Sequence, residues 1–216
     1  MTICLPTSPC AVRTVRPLVP TWPRGLRFVA AAAFGAMAGL AFEPTNLWPL
    51  LFVGMAGWLM LFDPRLRPRG RGFGVGYAFG LGLGAVSLSW LSALVAGVGP
   101  VLAAALIAFE ALFFGLLGIL VSWVRRLSWW PLAVGLSWGA IEFLYARVPF
   151  GGFGWIRLAY AQVDAPLARL LPIVGVMGVT VVTATLAALL AAFVVRVWGN
   201  PRGWVCPTTI AFGVLI

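Results

Sequence analysis

Few residues in this 216-residue chain can handle protons. There is no His, and every basic residue is Arg, which keeps its charge under any physiological condition. Acid and base work would fall to five carboxylates, three Tyr and three Cys. Glu110 lies inside a long apolar run, where a carboxylate is costly and faces a bundle interior, a partner or water. That makes it a functional candidate, although a hydrogen-bonded structural carboxylate beside a glycine-rich neighbouring helix explains it equally well. Glu142 lies five residues before Arg147, a spacing that suggests a stabilising pair at a membrane surface. Cys4, Cys10 and Cys206 have neither metal-ligand spacing nor a CxxC pair, so no disulfide framework, metal site or cofactor is expected.

A second group is concentrated in one stretch, Val148 to Asp164. Gly151, Gly152 and Gly154 supply pliable backbone, Phe153 and Trp155 an apolar wedge, Arg157 a phosphate-pairing guanidinium, and Tyr160 and Gln162 hydrogen-bonding groups. Such a set suits a lipid headgroup or acyl chain. The aromatics also suit an interfacial belt, where amphipathic rings settle at headgroup level.

The elements that must position these residues are helices in a membrane. The chain is 62% hydrophobic and 9% charged, with mean hydropathy +1.03, outside the range of soluble domains. The net charge of +10 does not point to nucleic acid, because the arginines punctuate apolar runs and form no solvated face. Crossing hydrocarbon takes about 20 apolar residues. That rule gives an all-α integral membrane protein, a polytopic bundle of six transmembrane helices plus the start of a seventh. The spans run over 26–42, 47–62, from 72 to a break at 97–100, onward to 124, then 128–146 and 170–195. Glu43-Pro44-Thr45-Asn46 reads as a tight turn, and Asp63 to Arg71, with two Pro and four Arg, as a loop. The glycines between Gly72 and Gly84 fit close helix packing, since a phosphate cradle needs a following Lys or a preceding strand.

Residues 1–25, rich in Pro and lacking a signal-peptide core, read as a disordered cytoplasmic tail ahead of a transmembrane domain over 26–216. Twelve of the fifteen arginines fall on the side of that tail. The positive-inside bias therefore predicts a cytoplasmic N-terminus and places the 148–164 connector outside.

Glu142-Phe143-Leu144, Gly152-Phe153-Gly154-Trp155, Leu158-Ala159-Tyr160-Ala161-Gln162, Pro166-Leu167-Ala168 and Pro172 to Val176 occur in an order that resembles the membrane region of bacterial apolipoprotein N-acyltransferases. In that family the pattern reads approximately EFLR, GFPW, GYSQ and PLA. Leu40 to Pro44, with Trp48-Pro49 after it, is similar to the family's first turn. The chain departs from the pattern where Gly154 replaces proline, Ala159 and Ala161 replace glycine and serine, and Tyr145 stands in the arginine position.

The resemblance implies a multi-pass protein of the bacterial inner membrane, in an enzyme that moves an acyl chain from a phospholipid to the N-terminal diacylglyceryl-cysteine amine of a lipoprotein. It implies that catalysis belongs to a nitrilase-like domain carrying Glu, Lys and Cys. A chain without Lys cannot hold that set, and Cys206 is no substitute, so no catalytic residue is expected here. This chain reads as the truncated membrane portion, inactive alone, with Phe153, Trp155, Arg157, Tyr160 and Gln162 lining the lipid passage. A rival expectation is an inert scaffold anchoring a partner such as a polyprenol-phosphate mannose synthase, an association the family has in some actinobacteria. The all-Arg basic content suits such a high-GC source.

Overall fold

The computed structural model describes residues 23–62, 71–93, 98–148 and 151–199. Six helices and three short 3-10 turns make up its regular structure, and no strand occurs among the described residues. The helices are α1 (Arg24–Gly39), α2 (Pro49–Met60), α3 (Arg71–Ser87), α4 (Gly99–Val124), α5 (Trp130–Tyr145) and α6 (Leu171–Gly199). Pro stands at the start of α2, α4 and α5, where a missing N–H costs nothing and the fixed φ favours the first helical turn. Residues 1–22 of the expected tail, the arginine loop at 63–70, Pro149 and Phe150, Cys206 and the start of a seventh helix lie outside the described residues, while the end of the expected tail is not irregular, since α1 already takes in Arg24 and Gly25.

Each predicted span overlaps one helix, but lengths differ. Among the described residues, only α4, with 26 residues, and the apolar stretch Pro166–Val197, with 32, are long and apolar enough to cross a membrane by length and composition. The apolar helices over 25–39, 49–60 and 72–87 are shorter. The third span stops early because the chain leaves α3 at Ser87 and enters a 3-10 turn, Ser89–Ala93. Inside α6, Gly175 takes φ 67° and interrupts the helical backbone, a break that the apolar pattern did not announce.

The helices form a closed ring. In order around it, α1 packs on α3, α3 on α4, α4 on α5, α5 on α6, α6 on α2 and α2 back on α1. Glycines permit the tight contacts. A Cβ at Gly76 would lie 2.1 Å from the Phe114 carbonyl oxygen, and one at Gly82 would lie 2.0 Å from that of Ala32. The α3 glycines therefore pack helices, as expected. The ring is filled by Trp58, Phe79, Phe114 and Trp138, all buried. Trp138 meets Trp58, Phe79 and Phe114 at centroid distances of 5.8, 6.0 and 5.9 Å, and the Trp58 indole N–H donates to the Val75 carbonyl at 3.2 Å. Edge-to-face contact and a satisfied indole make this a specific core rather than a greasy one.

The two ends of the ring are tied differently. At one, the Arg125 guanidinium at the end of α4 donates to the Leu59 carbonyl near the end of α2, and stacks over Trp130 at 4.6 Å. At the other, the Asn46 amide in the turn between α1 and α2 donates to the Asp164 carboxylate beyond α5. The turn between α1 and α2 and the segment between α5 and α6 thus lie at the same end.

Candidate functional site

The segment between α5 and α6 is held to the bundle by two side chains of α5. Glu142, with no exposed surface, accepts a hydrogen bond from the Leu158 backbone N–H at 2.8 Å and another from the Thr180 hydroxyl of α6 at 2.7 Å. Tyr145, equally buried, donates its hydroxyl to the Ile156 carbonyl at 3.0 Å. The Phe153 N–H closes back on the Tyr145 carbonyl at 2.9 Å. That closure needs glycine at Gly152, whose φ is 78° and where a Cβ would sit 2.1 Å from the Ala146 carbonyl carbon. Leu158, Ala159 and Ala161 are buried, so the irregular segment is seated in the helix ring rather than draped over it.

The predicted pairing of Glu142 with Arg147 does not form. Arg147 is exposed, donates to the Phe143 carbonyl at 3.2 Å and lies 3.6 Å over the Phe143 ring. It caps its own helix, while Glu142 turns inward, because a buried backbone N–H and a buried hydroxyl both need an acceptor. Glu110, on α4, is 2% exposed, and its Oε2 has no hydrogen-bond partner among the described residues. It lies one turn from Phe113 and Phe114, both of which touch Tyr145, at 6.0 and 6.2 Å.

The remaining predicted residues separate by exposure. Trp155 and Tyr160 are exposed, 60% and 45%, while Phe153 and Arg157 are half-buried. Gln162 is fully buried, with neither amide atom partnered among the described residues. The Arg157 guanidinium lies against Gly154, its Nε 3.0 Å and one terminal nitrogen 3.3 Å from where a Cβ would be. Its Nε is buried and has no hydrogen-bond partner among the described residues. A half-buried cation therefore lies next to exposed aromatic rings. No group of three or more His, Cys, Asp or Glu able to hold a metal occurs among the described residues.

Residues 34–189 match the family model described as the apolipoprotein N-acyltransferase N-terminal domain. The chain is also similar to the apolipoprotein N-acyltransferase of Ralstonia nicotianae, 39% identical over 183 residues that make up 77% of this chain and 34% of the relative. It is 35% identical to that of Vibrio parahaemolyticus over 187 residues, 80% of this chain and 36% of the relative. The corresponding figures for Nitrosomonas europaea are 32% over 177 residues, 77% and 35%. The chain belongs to the apolipoprotein N-acyltransferase family. It spans about a third of the length of the curated relatives it matches. The part that matches the family's N-terminal domain contains both buried carboxylates and the whole connector, and ends within α6.

One residue escaped the sequence reading. Trp90, in the 3-10 turn after α3, is 40% exposed and meets Trp155 at a centroid distance of 5.6 Å, while Trp155 meets Phe153 at 6.3 Å. The only signal was an aromatic at the end of a glycine-rich helix, with nothing to place it opposite a segment more than sixty positions away.

Proposed function

We propose that this chain is the membrane portion of an apolipoprotein N-acyltransferase and that the connector between α5 and α6 is where the enzyme receives its phospholipid. The ring of six helices crosses the bacterial inner membrane, with the residues before α1 as a cytoplasmic tail and the connector outside. The observation that carries the reading is the Arg157 guanidinium, its Nε unpartnered among the described residues, two positions from exposed Trp155. Together they offer a phosphate-binding cation and an apolar surface, the two halves of a phospholipid. Family membership supports the reaction proposed for the whole enzyme. An ester acyl group leaves the phospholipid, and an amide forms on the N-terminal cysteine of a diacylglyceryl lipoprotein. That chemistry belongs to a catalytic domain carrying Glu, Lys and Cys.

Phe153, Trp155 and Tyr160 then line the entry for the acyl chain, and Arg157 holds the headgroup. Gln162, being buried, backs that surface, and its free amide offers hydrogen bonds if the segment shifts on binding. Glu142 positions the connector without touching lipid. The scaffold reading, with a polyprenol-phosphate mannose synthase as partner, gains no support from relatives that are all named as the acyltransferase.

The test is Arg157→Gln in an enzyme whose chain carries the catalytic domain. Losing a charge-assisted phosphate contact should raise the KM for phospholipid about tenfold, with kcat little changed. An unchanged KM would remove Arg157 and the headgroup site with it.

A further inference from the structure

We infer that Trp90 forms the second half of the lipid-receiving surface, binding the acyl chain across a face built jointly with Trp155 and Phe153. This rests on the reading of the connector given above and adds to it a residue from a different connection of the bundle.

The turn carrying Trp90 is braced. Leu88, just before it, is 1% exposed, and its N–H donates to the Gly84 carbonyl at 2.9 Å. The Ser87 hydroxyl donates to the Leu83 carbonyl at 2.8 Å, and that of Ser92 to the Ser89 carbonyl at 2.6 Å. The start of α4 closes over the turn, since a Cβ on Gly99 would lie 2.5 Å from the Ser92 carbonyl oxygen. Trp90 is therefore presented on fixed backbone, and so is Trp155, through the anchors at Glu142 and Tyr145.

Two fixed indoles in contact that stay 40% and 60% exposed are not there to fill a core. The core has its own aromatics, all buried. With Phe153 they make one continuous apolar surface at the end of the bundle that carries Arg157, and rings set beside a cation offer an amphiphile both of its contacts. Charge selects the occupant. Arg157, two positions from Trp155 and half-buried, with its Nε unpartnered among the described residues, puts a cation at the edge of the apolar face, and a cation there favours an anionic headgroup. An amphiphile with a phosphate head and an acyl tail satisfies both, whereas an uncharged lipid offers the guanidinium no anion.

The probe is phosphatidylglycerol carrying a diazirine in one acyl chain, compared with diacylglycerol carrying the same chain. The purified protein is photolysed in nonionic detergent, and labelled peptides are mapped by mass spectrometry. Phosphatidylglycerol should label the peptide bearing Trp155 more strongly than diacylglycerol does. Trp90→Ala should lower that labelling about threefold to tenfold, the range expected for loss of an aromatic contact, and Trp90→Phe should retain most of it. If Trp90→Ala does not fold, Trp90→Gln removes the apolar face while keeping bulk, and the same loss is expected. Wild-type labelling in Trp90→Ala or Trp90→Gln, alongside a loss in Trp155→Ala, overturns the role of Trp90 and leaves the connector reading standing. Wild-type labelling in Trp155→Ala as well overturns both.

Discussion

Two of the aromatic clusters among the described residues differ in what covers them. Trp58, Phe79, Phe114 and Trp138 meet at the centre of the helix ring, fully enclosed and drawn from four different helices. Trp90, Phe153 and Trp155 meet at one end, drawn from two connections, and two of the three remain substantially exposed. Residue type alone does not tell these apart. What separates them is whether neighbouring elements close over the rings, and that decides whether a ring's free energy is used within the fold or is available to a ligand.

The comparison is broken most severely at the centre. Trp138→Ala should cost about 3–5 kcal/mol, the usual loss for deleting a large buried aromatic, and would show as a large drop in the thermal midpoint or failure to fold. Glu142→Leu comes next. It strands the Leu158 N–H and the Thr180 hydroxyl without an acceptor, at about 1–3 kcal/mol for each buried group. Proteolysis between α5 and α6 should then speed up, because the connector has lost one of its two anchors. Tyr145→Phe removes a single hydrogen bond to the Ile156 carbonyl and should cost about 1 kcal/mol, measurable in the same assay. Asn46→Ala, at an exposed contact with Asp164, should change stability by less than about 0.5 kcal/mol. An effect as large as that of Glu142→Leu would mean the first turn is a principal support for the connector.

Much of the ring was legible in the sequence, because its boundaries are local. Pro at helix starts and glycine spacing in α3 are short-range signals, and each corresponds to a feature of the fold. What was not legible depends on partners distant in the chain. Glu142 has Arg147 within reach by number, but its real partners are 16 and 38 positions away and are chosen by burial, not spacing. Gln162 and Tyr160 stand two apart in one short turn, yet one is buried and the other exposed. Irregular backbone has no period from which inside and outside can be read. Trp90 shows the same limit, since only the folded ring brings it to Trp155.

The most direct test of the division between the two clusters is Trp155→Ala, with thermal midpoint and acyl transfer measured on one preparation of an enzyme that carries the catalytic domain. An exposed ring contributes little to the fold, so the midpoint should move by less than about 2 °C. Transfer at limiting phospholipid should fall about tenfold, the loss expected when an anchoring Trp is truncated. A midpoint lowered as far as in Trp138→Ala would make Trp155 part of the core, and undiminished transfer with the midpoint unchanged would show that the connector does not receive the lipid.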